Sequence, residues 1–241
     1  TGHTVIVVGN VDRPCLVDSV TAELNNQDLT VHLVIHPIFM VRRDKAGKRL
    51  EISSNRNPRD DASAESLMHF QVSQQSGGQL KKIETAIKAV LSDVRASVKD
   101  WHAMRDKMTM VIGELETPPR GVNPGDAAEI RDFLRWIHGN QFSFLGYREY
   151  HHSGAGKNAR ITIDSKSGLG LLRDPGRAVF KEIREQQFAT RKGQGSAGRS
   201  GLLLVTKANR RSTVHRAVHM DVIGIKRFDK KGRVTGQHLF V

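Results

Sequence analysis

TVIVVGNVDRPCLVDSVTAEL, residues 4–24, is the stretch that decides the predicted fold, because it places a strand, a turn and a helix in immediate succession. Residues 4–8 are β-branched and apolar, a run long enough for a buried strand and too short for a helix. Gly9-Asn10 ends the strand, and Pro14 suits the first turn of a helix, where its missing N–H costs no hydrogen bond. The helix then carries one apolar stripe at four-residue spacing, formed by Leu16, Val20 and Leu24.

Alternating apolar residues follow this helix and predict strands. Residues 29–42 alternate, with a polar turn at 44–48 and a second apolar pair behind it, which is typical of a hairpin. Residues 67–72 alternate again, and two amphipathic helices are then expected over 80–98 and 101–115. The order β-α-β-β-β-α with an added helix is close to the split βαβ arrangement of ferredoxin-like domains.

The second half of the chain predicts another α+β unit. A helix is expected to start at Asn123-Pro124, a cap residue followed by a first-turn proline. The remaining pattern gives strands at 142–151, 160–163, 202–207, 218–228 and 233–241, with a helix at 177–187 and a glycine-rich loop at 192–201. Two strands, a helix and three strands favour a PAS-like unit, with a second ferredoxin-like unit as the alternative.

We therefore expect three domains in an α+β protein. They are a ferredoxin-like βαββαβ domain at 1–116, a helical connector at 117–140, and an antiparallel α+β domain at 141–241. The chain has no initiator methionine and stops inside a predicted strand, so we expect a segment of a longer protein whose last domain is truncated. Cys15 is the single cysteine and no apolar run is long enough to span a membrane, which favours the cytoplasm.

The formal net charge of +13 is concentrated late in the chain, with 15 Lys and Arg against 4 Asp and Glu between Arg177 and Arg233. Such a block suggests an acidic partner, which is a nucleic acid, a phosphate ligand or an acidic surface of the same protein. A solvated basic face is the simpler alternative. The residues that we expect to contact a partner are Lys207, Arg210, Arg211 and Arg216.

Catalysis is not expected within this chain. Gly193–Gly198 matches G-x-G-x-x-G, but it precedes a predicted strand instead of joining a strand to a helix, so it predicts no cofactor site. The histidine pairs 32/36 and 215/219 lack a third ligand, so no metal site is predicted.

The turn before the first helix is the candidate ligand site, since helix N–H groups there are available to an anion or a carboxylate. Its residues are Asn10, Val11, Asp12, Arg13, Pro14, Cys15 and Leu16. The alternative interpretation is a capped turn that only orients the helix.

Asp-Arg-Pro-x-Leu-x-x-x-Val-x-x-x-Leu at 12–24 resembles the opening of ACT domains, which are small βαββαβ modules that bind amino acids and pair through their sheets. The longer string at 12–24 is also similar to the N-terminal part of the large NAD-dependent glutamate dehydrogenases. The other patches that share this similarity, in the family's order, are 29–37, 142–150, 203–209 and 212–216.

The resemblance implies a parent enzyme of amino-acid catabolism that converts L-glutamate to 2-oxoglutarate and ammonia with NAD. The dehydrogenase core then lies downstream, NAD is bound by the parent and not by this chain, and the ACT-like and PAS-like modules regulate or assemble the oligomer. The implied partners are the rest of the enzyme, neighbouring subunits and an allosteric amino-acid effector. ACT domains that bind amino acids have glycine where this chain has Cys15, which favours an architectural role for the first unit.

A nucleic-acid-binding protein is the rival from another class, because ferredoxin-like sheets and basic blocks both occur there. Phe142-Ser-Phe-Leu-Gly-Tyr147 does not follow the aromatic order of an RNA-recognition strand, and aromatic residues make up only 5% of the chain.

Overall fold

The computed structural model describes residues 2–54, 61–118, 120–154, 160–177, 179 and 201–241. Contacts divide the chain into two compact units: the first comprises residues 1–95 and 213–217, the second residues 96–212 and 218–241. Almost all of the predicted helix at 177–187 and of the glycine-rich loop at 192–201 lies outside the described residues.

The first unit has the predicted strand, helix, strands and long helix in that order, with four strands between the helices where three were expected. Its elements are β1 (His3–Val11), α1 (Leu16–Asn26), β2 (Val31–Ile35), β3 (Ile38–Arg43), β4 (Arg49–Ser53), β5 (Ala62–Ser73) and α2 (Gly77–Lys99), the last of which continues into the second unit. The strands form one antiparallel sheet in the order β1-β5-β3-β4, with β2 also paired to β5.

The central strand β5 organises this sheet. It pairs with β1 from Glu65 to Ser73, while its other edge is shared by β2 and β3. The single strand expected over 29–42 is therefore two strands, divided at His36-Pro37. Proline has no N–H to donate to a neighbouring strand, so regular pairing is interrupted at Pro37. The Pro37 carbonyl still accepts a hydrogen bond from the Leu67 N–H at 3.0 Å.

The two faces of the first sheet differ in their exposure. Met68, Phe70 and Val72 on β5 are fully buried, and α1 and α2 contribute further buried apolar side chains of this unit. The opposite face is open, and its exposed aliphatic residues are Val5, Val7, Leu33, Ile35 and Leu67. The alternation predicted for 29–35 is interrupted, because the register shifts between Val31 and Leu33. Val31 lies opposite the buried Val72, whereas Leu33 and Ile35 lie on the open face.

The second unit contains α3 (Trp101–Glu114), α4 (Pro124–Trp136), a short π-helix (Ile137–Gln141) and a second antiparallel sheet. The sheet's strands are β6 (Gly146–Ser153), β7 (Arg160–Ile163), β8 (Leu169–Gly170), β9 (Leu203–Arg211), β10 (His219–Phe228) and β11 (Val234–Phe240). Their order is β7-β6-β11-β10-β9, with β8 also paired to β6. Asn123 caps α4 as predicted, accepting from the Gly125 N–H at 2.8 Å.

Both faces of this second sheet are buried. One face carries Tyr147, Ile223, Ile225 and Phe240, which share a core with α3 and α4. The other face carries Arg148, Tyr150 and Gln237, each almost fully buried. The α+β prediction is thus confirmed, whereas the limits 1–116, 117–140 and 141–241 stay a prediction.

Candidate functional site

The structure brings Asn10 to Leu16 together as one turn between β1 and α1. The Asp12 N–H donates to the Ala64 carbonyl at 2.8 Å, which ties the turn to β5. The Cys15 carbonyl accepts from the Ser19 N–H at 3.1 Å and from the Ser19 hydroxyl, so α1 begins there without a side-chain cap.

Cys15 has a left-handed backbone, with φ of 67° and ψ of 9°. This conformation costs a residue with a Cβ about 1 kcal/mol, whereas glycine adopts it freely. Burial and the nearby Asp18 carboxylate raise the pKa of the thiol, which keeps it protonated at neutral pH. The turn therefore has the backbone shape that favours glycine, but Cys15 adds a half-buried, unreactive side chain there.

Residues 213–217, which belong to the same unit, contact the first turn of α1. The His215 N–H donates to the Ser19 hydroxyl at 2.9 Å, and His215 Nδ1 lies 3.3 Å from a carboxylate oxygen of Asp18. Ligand binding by residues 10–16 stays a prediction. The helical residues that follow this turn, Asp18 and Ser19, are already in contact with His215.

A groove runs along β1, the outermost strand of the first sheet. Among the described residues β1 pairs with β5 alone, so the backbone groups on its other edge have no strand beside them. The groove has a volume of about 370 Å³ and is lined on the β1 side by Val5 to Gly9. Residues of α2 form its other wall: Leu80, Ile83, Glu84, Ile87, Lys88 and Leu91. It is a largely apolar groove that lies beside the open edge of β1.

A cluster of charged and polar side chains around Glu149, which sequence reasoning missed, lies in the second unit. Glu149 Oε1 accepts from the Tyr147 hydroxyl at 2.7 Å and from Lys107 Nζ at 3.0 Å, and Oε2 accepts from Arg227 Nη1 at 2.8 Å. Burial by itself raises the pKa of Glu149, but the hydrogen bonds from Tyr147 and Lys107 outweigh it, so the pKa lies below its usual value.

His238 continues this Glu149 cluster towards α3. Its Nδ1 lies 2.7 Å from the Tyr147 oxygen, and because the Tyr147 hydroxyl donates to Glu149, Nδ1 must carry the hydrogen of that contact. Its Nε2 lies 3.4 Å from a carboxylate oxygen of Glu114, whose pKa is lowered by the interaction with His238. Burial, followed by the hydrogen bond to Glu149, raises the pKa of Tyr147, so the phenol stays protonated.

The predicted basic contact residues fall in different surroundings. Lys207 forms an ion pair with Asp221 at 2.7 Å across β9 and β10. Arg210 and Arg211 are exposed at the end of β9, whereas Arg216 is exposed in the segment that belongs to the first unit. The four residues therefore do not form one surface of one unit.

No group of three His, Cys, Asp or Glu side chains in the described ranges has metal-binding geometry. Within those same ranges, no helix is long and apolar enough to cross a membrane.

Comparison with known proteins gives two consistent findings. Residues 1–87 match the family model of the glutamate dehydrogenase ACT1 domain. The chain is 33% identical to the NAD-specific glutamate dehydrogenase of Halomonas elongata and 32% identical to that of Pseudomonas aeruginosa, each over 241 residues and 99% of the chain. It spans 15% of the length of each relative.

We predict that Glu149→Gln lowers the free energy of unfolding by roughly 2 to 3 kcal/mol at pH 7, because two cations lose their half-buried counter-charge. The folded-state pKa of Glu149 is below its ordinary value of 4.5, so this stabilisation is full above pH 4.5 and is lost as pH falls through the folded pKa. Urea unfolding at several pH values measures it. Glu84→Gln, in an exposed pair with Lys88, is the control and should leave the free energy of unfolding unchanged, because solvent screens this pair. An equal loss for Glu149→Gln at pH 3 and pH 7 contradicts the prediction.

Proposed function

This chain belongs to the family of the NAD-specific glutamate dehydrogenases, and on that premise we propose that it is a non-catalytic segment that regulates and assembles such an enzyme. The whole enzyme converts L-glutamate, NAD and water to 2-oxoglutarate, ammonia and NADH in the cytoplasm. Its catalytic and NAD-binding residues lie in the large part of the enzyme outside this chain, which accounts for 15% of the length of its relatives.

The open edge of β1 is the observation that carries the assembly role. From His3 to Val11 the strand has no Lys, Arg, Asp, Glu or Pro, although these residues normally protect an exposed edge from pairing. Val7 is 61% exposed and Val5 52%, and both lie on the open aliphatic face of the sheet. β1 therefore has both an exposed edge and an exposed apolar face. This combination is typical of a surface that another chain covers.

A second copy of the chain is the occupant that we propose for this groove. Two β1 strands can pair antiparallel about a two-fold axis, because a strand with no charged residue meets no like charge in its copy. The α2 wall carries one acid and one base, Glu84 and Lys88. These two residues already pair with each other at 2.5 Å, so the charges of the wall are compensated within the chain.

The second unit is proposed to be PAS-like and to carry the sensing role. Its sheet supports this, because β6 and β7 form a hairpin, β9 to β11 follow one another, and the last strand β11 pairs with the first strand β6. The nucleic-acid-binding alternative is less favourable, since the open face of the first sheet presents mainly aliphatic side chains. The rings on that face include those of His3, His69 and the half-buried Phe39.

We predict that Val7→Lys weakens subunit association of the full-length enzyme at least about tenfold, because a charge is placed in an apolar interface. Mass photometry over a dilution series measures the oligomer. Val205→Lys, on the outermost strand β9 of the other sheet, is the matched control and should leave the mass unchanged.

Two outcomes contradict the second-copy proposal. If Val7→Lys lowers the melting temperature but leaves the oligomer mass unchanged at every dilution, the groove holds a strand of the same polypeptide. If neither quantity changes, the edge is bare in the enzyme.

We predict that Arg210→Gln, Arg211→Gln and Arg216→Gln together make the oligomer of the full-length enzyme dissociate at a lower salt concentration. Each exposed pair contributes only about 0 to 1 kcal/mol, so several must be removed at once. Lys207→Gln is the internal comparison and should have less effect, because Lys207 already pairs with Asp221. A dissociation curve that stays the same in the triple variant means that these residues are only a solvated face.

We predict that the 241-residue chain alone neither oxidises L-glutamate nor binds NAD at micromolar concentrations. Its described residues contain no strand, glycine loop and helix arranged so that a pyrophosphate meets the helix N-terminus. Titration calorimetry with NAD measures this, and a micromolar dissociation constant contradicts it.

A further inference from the structure

Three polar side chains lie in one row across the second sheet. Lys226 on β10 is directly opposite Gln237 on β11, and Gln237 is directly opposite Tyr150 on β6. Directly opposite residues of antiparallel strands project from the same face, so the three side chains are neighbours. They are buried: Lys226 is 7% exposed, and Gln237 and Tyr150 are 1% exposed.

Two of these groups lack the partners that burial demands. The Gln237 Nε2 atom is buried and has no hydrogen-bond partner among the described residues. The Lys226 ammonium forms no ion pair within the same part of the chain, and burial lowers its pKa. A buried donor without an acceptor costs about 1 to 3 kcal/mol, and an unpaired buried charge costs more.

Arg148, the neighbouring cation on this face, is a buried charge that is hydrogen-bonded. Arg148 is 1% exposed, and its guanidinium donates to the carbonyls of Leu172, Asp174 and Arg177 at 2.6 to 3.3 Å. Arg148 is thus satisfied by the loop after β8, whereas Lys226 has no corresponding set of carbonyls in the described residues.

The sheet backbone makes room for the Gln237 amide. A Cβ on Gly224 would lie 1.7 Å from Gln237 Nε2, so this amide occupies the space above a glycine. Gly224 lies on the same face of β10 as Lys226, two residues away. Glycine at that position therefore keeps the Nε2 donor over the strand that carries the buried ammonium.

We propose that the row of Lys226, Gln237 and Tyr150 binds the carboxylate of a small metabolite. Both orphan groups are donors, so the ligand must present acceptor oxygens. One ammonium with one amide matches a single negative charge, while a phosphate dianion in a buried site requires more cationic donors. The inference rests on the proposed regulatory role and assigns the sensing site to the second unit.

The test uses the 241-residue chain and needs no catalytic activity. Thermal unfolding is followed with succinate, 2-oxoglutarate and L-glutamate, with the neutral succinamide and with inorganic phosphate. A ligand that binds only the folded chain raises its melting temperature. We expect at least one carboxylate to raise it by a few degrees, and succinamide and phosphate to leave it unchanged.

The variant Lys226→Met should abolish that shift and weaken calorimetric affinity at least tenfold. It should fold as well as the parent chain without ligand, because an apolar replacement removes an unpaired buried charge. Gly224→Ala, which displaces the Gln237 amide, should weaken binding as well. Lys230→Met, in the exposed turn between β10 and β11, is the control and should retain the full shift.

Three results overturn the inference. One is a carboxylate shift that survives in Lys226→Met. Another is a phosphate shift equal to that of the carboxylates. The last is the absence of a shift with every carboxylate, since the row of Lys226, Gln237 and Tyr150 then binds none of them. None of these results depends on subunit assembly, so they are distinct from a failure of the proposal for β1.

Discussion

The unpaired edge of β1 is the constraint that governs the first unit. Among the residues that the structure describes, β5 is paired on both edges but β1 on one, because the chain passes from α2 into α3 instead of returning as a strand beside β1. The N–H and C=O groups along that free edge must bond to water or to another strand. Water satisfies them without covering the aliphatic side chains on either side of the edge, whereas an added strand does both. The open edge and the apolar groove therefore favour the same outcome, which is a covered β1.

The second sheet is governed by a different constraint, which is that both of its faces are buried. In the run GYREY at 146–150, alternation sends Tyr147 and Glu149 to one face and Arg148 and Tyr150 to the other. Each charged group in that run therefore needs compensation from an element packed against its own face. α3 and β10 provide it for Glu149, through Lys107 and Arg227, and the loop after β8 provides it for Arg148. Lys226 differs from Glu149 and Arg148, because no described residue compensates its buried charge.

Local patterns in the sequence were enough to place most elements, and long-range contacts explain what they missed. The stripe of Leu16, Val20 and Leu24 gave α1, and Asn123-Pro124 gave the start of α4. Alternation shows that Leu33 and Ile35 share a face, but only the positions of α1 and α2 decide that this face is open. The Glu149 cluster was not predictable, since Tyr147 and His238 are 91 residues apart and Lys107 lies on a helix whose sequence pattern shows only an apolar stripe.

The contrast between the two units also bears on where an effector can be recognised. At the α1 turn, Cys15 places a Cβ where the left-handed backbone favours glycine, and the Ser19 hydroxyl is already occupied by the His215 N–H. A ligand there must displace contacts that the chain makes with itself, and its binding energy is reduced by their loss. On the polar row of the second sheet the balance is reversed, because the described residues leave Gln237 Nε2 without an acceptor. A ligand oxygen gains that hydrogen bond without breaking another among them. The proposed assembly through β1 and the proposed sensing by the second sheet are thus assigned to different units.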